Sequence, residues 1–152
     1  MLSIMRASRL WKWQLWAIYR YIRTLPVHTR EWHSDTAIIL LDLGADPNQP
    51  SSAGPALLNI ARSGRKESLP IAVSLLQHGA DPNLADTLSG ETPLMAAAMG
   101  RWTALLKLLL EYGADVSLVN HAGKSVLDML GSNPLNSAMV ELCMGCIKPM
   151  LK

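Results

Sequence analysis

A chain of 152 residues is long enough for one ordinary domain, or for a short array of repeats, with a core of its own. Apolar residues make up 49% of it and charged residues only 17%, which excludes a disordered chain. The net charge of +2 indicates no particular partner and argues against a nucleic-acid-binding surface. The two cysteines, Cys143 and Cys146, suggest no disulfide framework, so we expect a reducing compartment, cytoplasmic or nuclear.

The first predicted element is a basic amphipathic helix within residues 1–30. Six Arg or Lys residues and no acidic residue precede Glu31. Apolar residues recur at every seventh position: Ile4, Trp11, Ile18 and Leu25. We predict that this helix caps the apolar flank of the next helix, at 33–43, as the terminal unit of a stacked array must. Two alternatives stay open, a mitochondrial transit peptide and a helix whose residues 1–25 lie in a membrane interface.

Two motifs then recur in the same order with a period near 34 residues. The first, Leu-Leu-x-x-Gly-Ala-Asp, stands at 40–46, 75–81 and 109–115. The second, Gly-Glu-Thr-Pro-Leu at 90–94, has imperfect counterparts at 54–58 and 123–127. The first motif ends a helix at a glycine and continues into turn chemistry, and Thr-Pro begins the next helix. A turn, a short helix and a longer Leu-rich helix therefore form one unit, which cannot bury its apolar faces alone.

These motifs resemble those of the ankyrin repeat family over about residues 33–146. The resemblance implies an all-α solenoid of stacked helix-turn-helix units with β-turn or hairpin loops, with about three repeats plus terminal caps. The implied array at 31–148 contains a partial repeat at 31–43 and repeats at about 44–78, 79–112 and 113–146, followed by a tail at 149–152. Where the family has a histidine after Thr-Pro-Leu, this chain has Asn59, Met95 and Asp128. Two extra residues near 65–70 lengthen the link between the helices of the first full repeat.

For function, the resemblance implies binding of another protein, without catalysis and without a cofactor. Stacked repeats present their turn tips and the concave face of their first helices to a partner. The family register assigns the following residues to that surface: Ser52, Ala53, Asp86, Thr87, Leu88, Glu91, Met95, Met99, Trp102, Asn120 and His121. The two methionines fit the core equally well, and Trp102 fits equally well flat against a neighbouring helix. The sequence contains no nucleophile motif and no phosphate-binding loop.

Two smaller sites follow from the same resemblance. Some ankyrin proteins are hydroxylated by an iron-dependent asparaginyl hydroxylase at a turn position that Asn48 and Asn83 occupy here, whereas Ser117 is exempt. The alternative is that both asparagines hold the turn through bonds to backbone. Cys143 and Cys146 match the first half of a zinc motif, which would make this chain a short form of a larger protein with a following MYND-type finger. The favoured interpretation is two small apolar residues at helical spacing, with no metal bound.

Overall fold

A computed structural model describes residues 37–49, 54–131 and 134–147. The predicted cap at 1–30 and the tail at 149–152 lie outside these ranges. Helices and turns alternate throughout them, and the one extended pairing there is an isolated antiparallel bridge between Val119 and Ser125. The predicted all-α architecture is confirmed.

The described chain contains seven α-helical segments. The described chain begins in a helical segment at 37–42 (α1). Six further helices follow it: α2 (Ala56–Ser63), α3 (Leu69–Gln77), α4 (Pro93–Met99), α5 (Thr103–Glu111), α6 (Val126–Leu130) and α7 (Ser137–Ile147). A short 3-10 turn, Lys66–Ser68, accommodates the extra residues between α2 and α3.

The helices stack in two layers. The inner helices α2, α4 and α6 contact one another in order, as do the outer helices α3, α5 and α7, and each inner helix packs on the outer helix that follows it. Small side chains at Ala96, Ala97 and Ala98 let α4 lie close to its neighbours, while the buried leucines of α5 fill the space between the layers. The core therefore runs along the array instead of centring on one point.

Side-chain caps begin two of the inner helices, α4 and α6. Thr92 accepts a bond from the backbone N–H of Met95 at 3.3 Å, and Pro93 takes the first helical position as expected. Ser125 and Asp128 form a reciprocal capping box at α6. The Asn59 amide donates to the Gly54 carbonyl at 3.1 Å. Asn59 and Asp128, which stand where the family has histidine, thus form hydrogen bonds within their own repeats.

Arg101 is the one described non-glycine residue with a positive φ, 54°. Gly100 just before it has an ordinary φ of −74°, so glycine stands one residue ahead of the position that needs it. In the link of the preceding repeat, Gly64 takes the left-handed conformation with φ 62°. A left-handed residue with a side chain costs about 1–2 kcal/mol.

We expect Arg101→Gly to raise the free energy of unfolding by about 0.5 kcal/mol, because relief of that strain exceeds the roughly 0.4–1 kcal/mol of entropy that glycine adds to the unfolded chain. Urea unfolding measures the change. Arg65→Gly is the matched control, since Arg65 has φ −86° and carries no such strain. It should lower stability, and an equal loss in both variants would contradict the strain at Arg101.

Candidate functional site

The second hairpin (residues 86–91) and the third hairpin (residues 120–124) project from the array. The Asp86 N–H donates to the Glu91 carbonyl at 2.9 Å, and the Asn120 N–H donates to the Lys124 carbonyl at 3.0 Å. Each hairpin is therefore closed by its own backbone.

The two hairpin tips also bind each other. The His121 N–H donates to the Ser89 carbonyl at 3.0 Å, and His121 Nδ1 lies 3.1 Å from the Leu88 carbonyl oxygen. Gly90 makes room for this contact, because a Cβ atom there would lie 2.7 Å from His121 Cδ2. Hairpins of adjacent repeats thus form one continuous surface.

Arg62, in the last turn of α2, binds side chains of the second hairpin. The sequence analysis did not predict this contact. Its Nε donates to Glu91 Oε2 at 2.8 Å, and its Nη2 lies 3.1 Å from Asp86 Oδ2. Nη2 also lies 3.3 Å from Ser89 Oγ, which in turn donates to Asp86 Oδ2 at 2.9 Å. We call Arg62, Asp86, Ser89 and Glu91 the Arg62 cluster. An arginine in the last turn of a helix, one repeat before two acids, was the available signal.

These contacts change the protonation of the cluster. Bonds from Arg62, and then from Ser89, hold the pKa of Asp86 below its ordinary value. Burial lowers the pKa of Arg62, but the bonds that it donates to Glu91 and Asp86 outweigh that effect and raise it. Asp86 and Arg62 are therefore ionised at neutral pH, and both acidic side chains of the cluster are paired within the chain.

Acid should weaken the array. A carboxyl whose pKa is depressed in the folded state stabilises it fully above the unfolded value, 3.8 for Asp86, and loses that contribution as pH falls through the folded value. Bonds from Ser117 and Ser125 likewise hold the pKa of Asp115 and Asp128 below the ordinary range. We expect the free energy of unfolding to drop below about pH 4. Urea titrations from pH 6 to pH 2 test this, and Asp86→Asn should give a shallower drop than the wild type; an identical slope would contradict the pairing.

The predicted contact residues divide by exposure. Thr87, Leu88, Met99 and His121 are exposed, with Leu88 at 86% and Met99 at 66%. Three others are partly buried: Asp86, Glu91 and Asn120. Ser52 and Ala53 lie outside the described residues.

Met95 and Trp102 correct the prediction, since they are only 1% and 5% exposed. The helix α4 contacts inner helices on both sides as well as α5, so that Met99, its last residue, is the one it leaves exposed. Trp102 closes the link between α4 and α5, where its N–H donates to the Ala97 carbonyl at 2.9 Å. Both side chains belong to the core cluster and cannot meet a partner in the folded array.

Stacked helix pairs joined by outward hairpins, repeating every 34 or 35 residues, agree with the comparison to known sequences. A sequence profile of ankyrin repeats, in three copies, matches residues 57–151. The chain belongs to the ankyrin repeat family.

Several ankyrin relatives align with a large part of this chain. An ankyrin repeat protein of Acanthamoeba polyphaga mimivirus is 34% identical over 106 residues, which is 63% of this chain and 17% of that protein. Cyclin-dependent kinase 4 inhibitor B of Rattus norvegicus is 32% identical over 95 residues, 62% of this chain and 71% of that protein. Human cyclin-dependent kinase inhibitor 2A is 33% identical over 90 residues, which is 59% of this chain and 56% of that protein. This chain thus spans less than a fifth of the viral protein and most of the rat inhibitor.

Two asparagines link successive turns of the ankyrin array. Asn48 donates to the Gly79 carbonyl at 2.8 Å and accepts from the Asp81 N–H at 2.8 Å. One repeat later, Asn83 makes the same pair of bonds, to the Gly113 carbonyl at 3.2 Å and from the Asp115 N–H at 2.7 Å. Both asparagines therefore bond to backbone, as the alternative to hydroxylation expected. The backbone they contact belongs to the turn of the next repeat and not to their own turn. Hydroxylation at either asparagine stays a prediction.

We expect Asn83→Ala to lower the free energy of unfolding by about 1–2 kcal/mol, because it removes two bonds between repeats that are worth about 1 kcal/mol each. Ser117→Ala is the matched control at the corresponding position of the next turn. Ser117 bonds only within its own turn, to Asp115, so the change should cost less. Thermal unfolding followed by circular dichroism compares them, and equal losses would contradict a linking role for Asn83.

No group of three or more metal-ligating side chains comes together within the described ranges. Cys143 is buried in the core cluster. Among the described helices, none is both long and apolar enough to cross a membrane.

Proposed function

We propose that this ankyrin array binds another protein through its hairpin surface, defined as Thr87, Leu88, Val119 and His121. The observation that carries the proposal is the position of Leu88, which is 86% exposed at the tip of a hairpin. A large apolar side chain exposed on a loop is a typical contact for a partner. Val119, which is 56% exposed, extends the apolar area into the third hairpin.

The hairpin surface combines an exposed apolar tip with a rigid base. Arg62 holds the second hairpin from one side, and His121 bonds to it from the other. A preformed loop loses little conformational entropy when it binds. Arg62 also offsets one of the two negative charges of Asp86 and Glu91 and occupies an oxygen of each carboxylate, so the surface favours a partner segment with an apolar anchor over a strongly basic one.

The test begins with affinity purification of the full chain from cells and identification of bound proteins by mass spectrometry. The candidate partner is then purified and titrated against Leu88→Asp, for which we expect at least a tenfold loss of affinity with an unchanged circular dichroism spectrum. Glu111→Lys, on the exposed outer face of α5, is the control and should bind like the wild type. Equal affinities for all three chains would contradict the proposed surface.

A narrower candidate is a cyclin-dependent kinase as the partner. The observation that favours it is the similarity to cyclin-dependent kinase 4 inhibitor B, which extends over 71% of the rat protein. Purified cyclin-dependent kinase 4 mixed with the full chain should form a complex, and its kinase activity should fall. Absence of both effects at micromolar concentrations would remove this candidate and leave the general proposal standing.

We further propose that the protein acts without catalysis in the cytoplasm or nucleus. The alternative is an adaptor that residues 1–25 direct to a membrane or to mitochondria. Imaging of a fluorescent protein fused to that segment separates the two: a diffuse signal supports the first location, and an organelle pattern supports the second. A longer transcript that encodes a zinc finger after Cys146 would instead support the short-form alternative.

A further inference from the structure

One face of α1 carries large apolar side chains that the described array leaves uncovered. Ala37 and Leu41 are buried, at 6% and 2% exposure, whereas Ile39 and Leu43 are 55% and 60% exposed. Successive helical residues turn by about 100°, so Ile39 and Leu43 point away from Leu41. The array therefore begins with a helix that is apolar on both sides.

The repeat register shows what this uncovered face is built to contact. The positions 35 residues after Ile39 and Leu43 are Ser74, on α3, and His78, which directly follows α3. Ser74 is buried at 6% exposure, and His78 Nε2 lies 3.1 Å from Asp42 Oδ1 of α1. In α3, this face thus meets the helix that precedes it in the stack. The same face of α1 is then shaped for a helix that comes before α1.

Charge points to which helix that is. Ile39, Asp42 and Leu43 stand at i, i+3 and i+4 and line one side at the end of α1. The Asp42 side chain is 62% exposed. The stripe is therefore apolar and acidic together.

Residues 1–30 have the complementary composition. They carry six Arg or Lys residues, no acid and an apolar residue at every seventh position. Six residues separate them from the described start of α1, and six residues can span at most roughly 20 Å. We infer that the segment 1–30 packs its apolar stripe on Ile39 and Leu43, with its cations beside Asp42, and so completes the stack as an intramolecular cap.

Hydrogen exchange of the full chain, read by mass spectrometry, tests this cap. We expect amides within 1–30 to exchange at least tenfold more slowly than in an unstructured peptide, and Leu43→Asp to remove that protection. The matched control is Leu88→Asp, also an exposed leucine but on the second hairpin, which should leave exchange within 1–30 unchanged. Arg20→Glu combined with Arg23→Glu gives a second variant that leaves the described array intact, and it should speed exchange of 1–30 as Leu43→Asp does.

Other occupants of the α1 face give different results. If 1–30 exchanges freely in the wild type, the inference is overturned. If protection of 1–30 rises with protein concentration and light scattering shows a dimer that Leu43→Asp dissociates, a second copy covers this face. If protection appears only with phosphatidylserine vesicles, the segment binds lipid instead. A monomer protected without vesicles supports the cap, whether or not the hairpin surface binds a partner.

Discussion

Leu106→Ala is expected to lower the free energy of unfolding by about 3 kcal/mol. The side chain is 0% exposed and lies on α5, which contacts α3, α4 and α7. Truncation loses the transfer free energy of the removed carbons and leaves a cavity that the close-packed layers fill only in part. The position adds to the effect, because each repeat contacts only its neighbours and α5 belongs to the middle one.

Urea unfolding at several temperatures measures this loss. Lys107→Ala, one residue further along the same helix, is the matched control because Lys107 is exposed. It should change stability by less than about 0.5 kcal/mol. If Leu106→Ala behaved like Lys107→Ala, the assignment of the buried face of α5 would be wrong. A lower slope against urea in Leu106→Ala would show in addition that the repeats on either side unfold separately.

Gly90→Ala should cost about 2–3 kcal/mol, through backbone strain of about 1–2 kcal/mol and the loss of a hydrogen bond worth about 1 kcal/mol. Gly90 has φ 68°, and its added Cβ would lie 2.9 Å from the His121 backbone nitrogen. That nitrogen cannot move aside without losing its bond to the Ser89 carbonyl. The second and third hairpins would then separate at their tips.

Gly79→Ala separates the two causes. Gly79 also has a positive φ, 87°, but no atom lies within 4 Å of the position that a Cβ would take. It should therefore show only the strain, about 1–2 kcal/mol. Thermal unfolding gives the difference between the variants, and the NMR resonances of the His121 ring should shift in Gly90→Ala alone. Equal costs and unshifted resonances would mean that the hairpins do not depend on this contact.

The repeat pattern could be read from the sequence because its signals are local. A glycine that must adopt a positive φ, an Asp-Pro-Asn turn and a Thr-Pro helix start each act within a few residues. The second helix of the last repeat, which was predicted at about 113–146, spans Ser137–Ile147. Thr87, Leu88 and His121, at the hairpin tips, are exposed, because a turn that projects from a stack meets solvent whatever its sequence.

Tertiary structure alone decided which side chains that surface contains. Met95 and Trp102 are buried because helices of neighbouring repeats cover them, and helical periodicity does not say how close those helices come. The carboxylates of Asp86 and Glu91 are paired because Arg62 lies within hydrogen-bond distance of both. Arg62 precedes them in the chain by 24 and 29 residues. The sequence by itself determined the repeat and its turns, through local backbone preferences. Which charges stay available to a partner depended on distances between repeats, which only the packed array establishes.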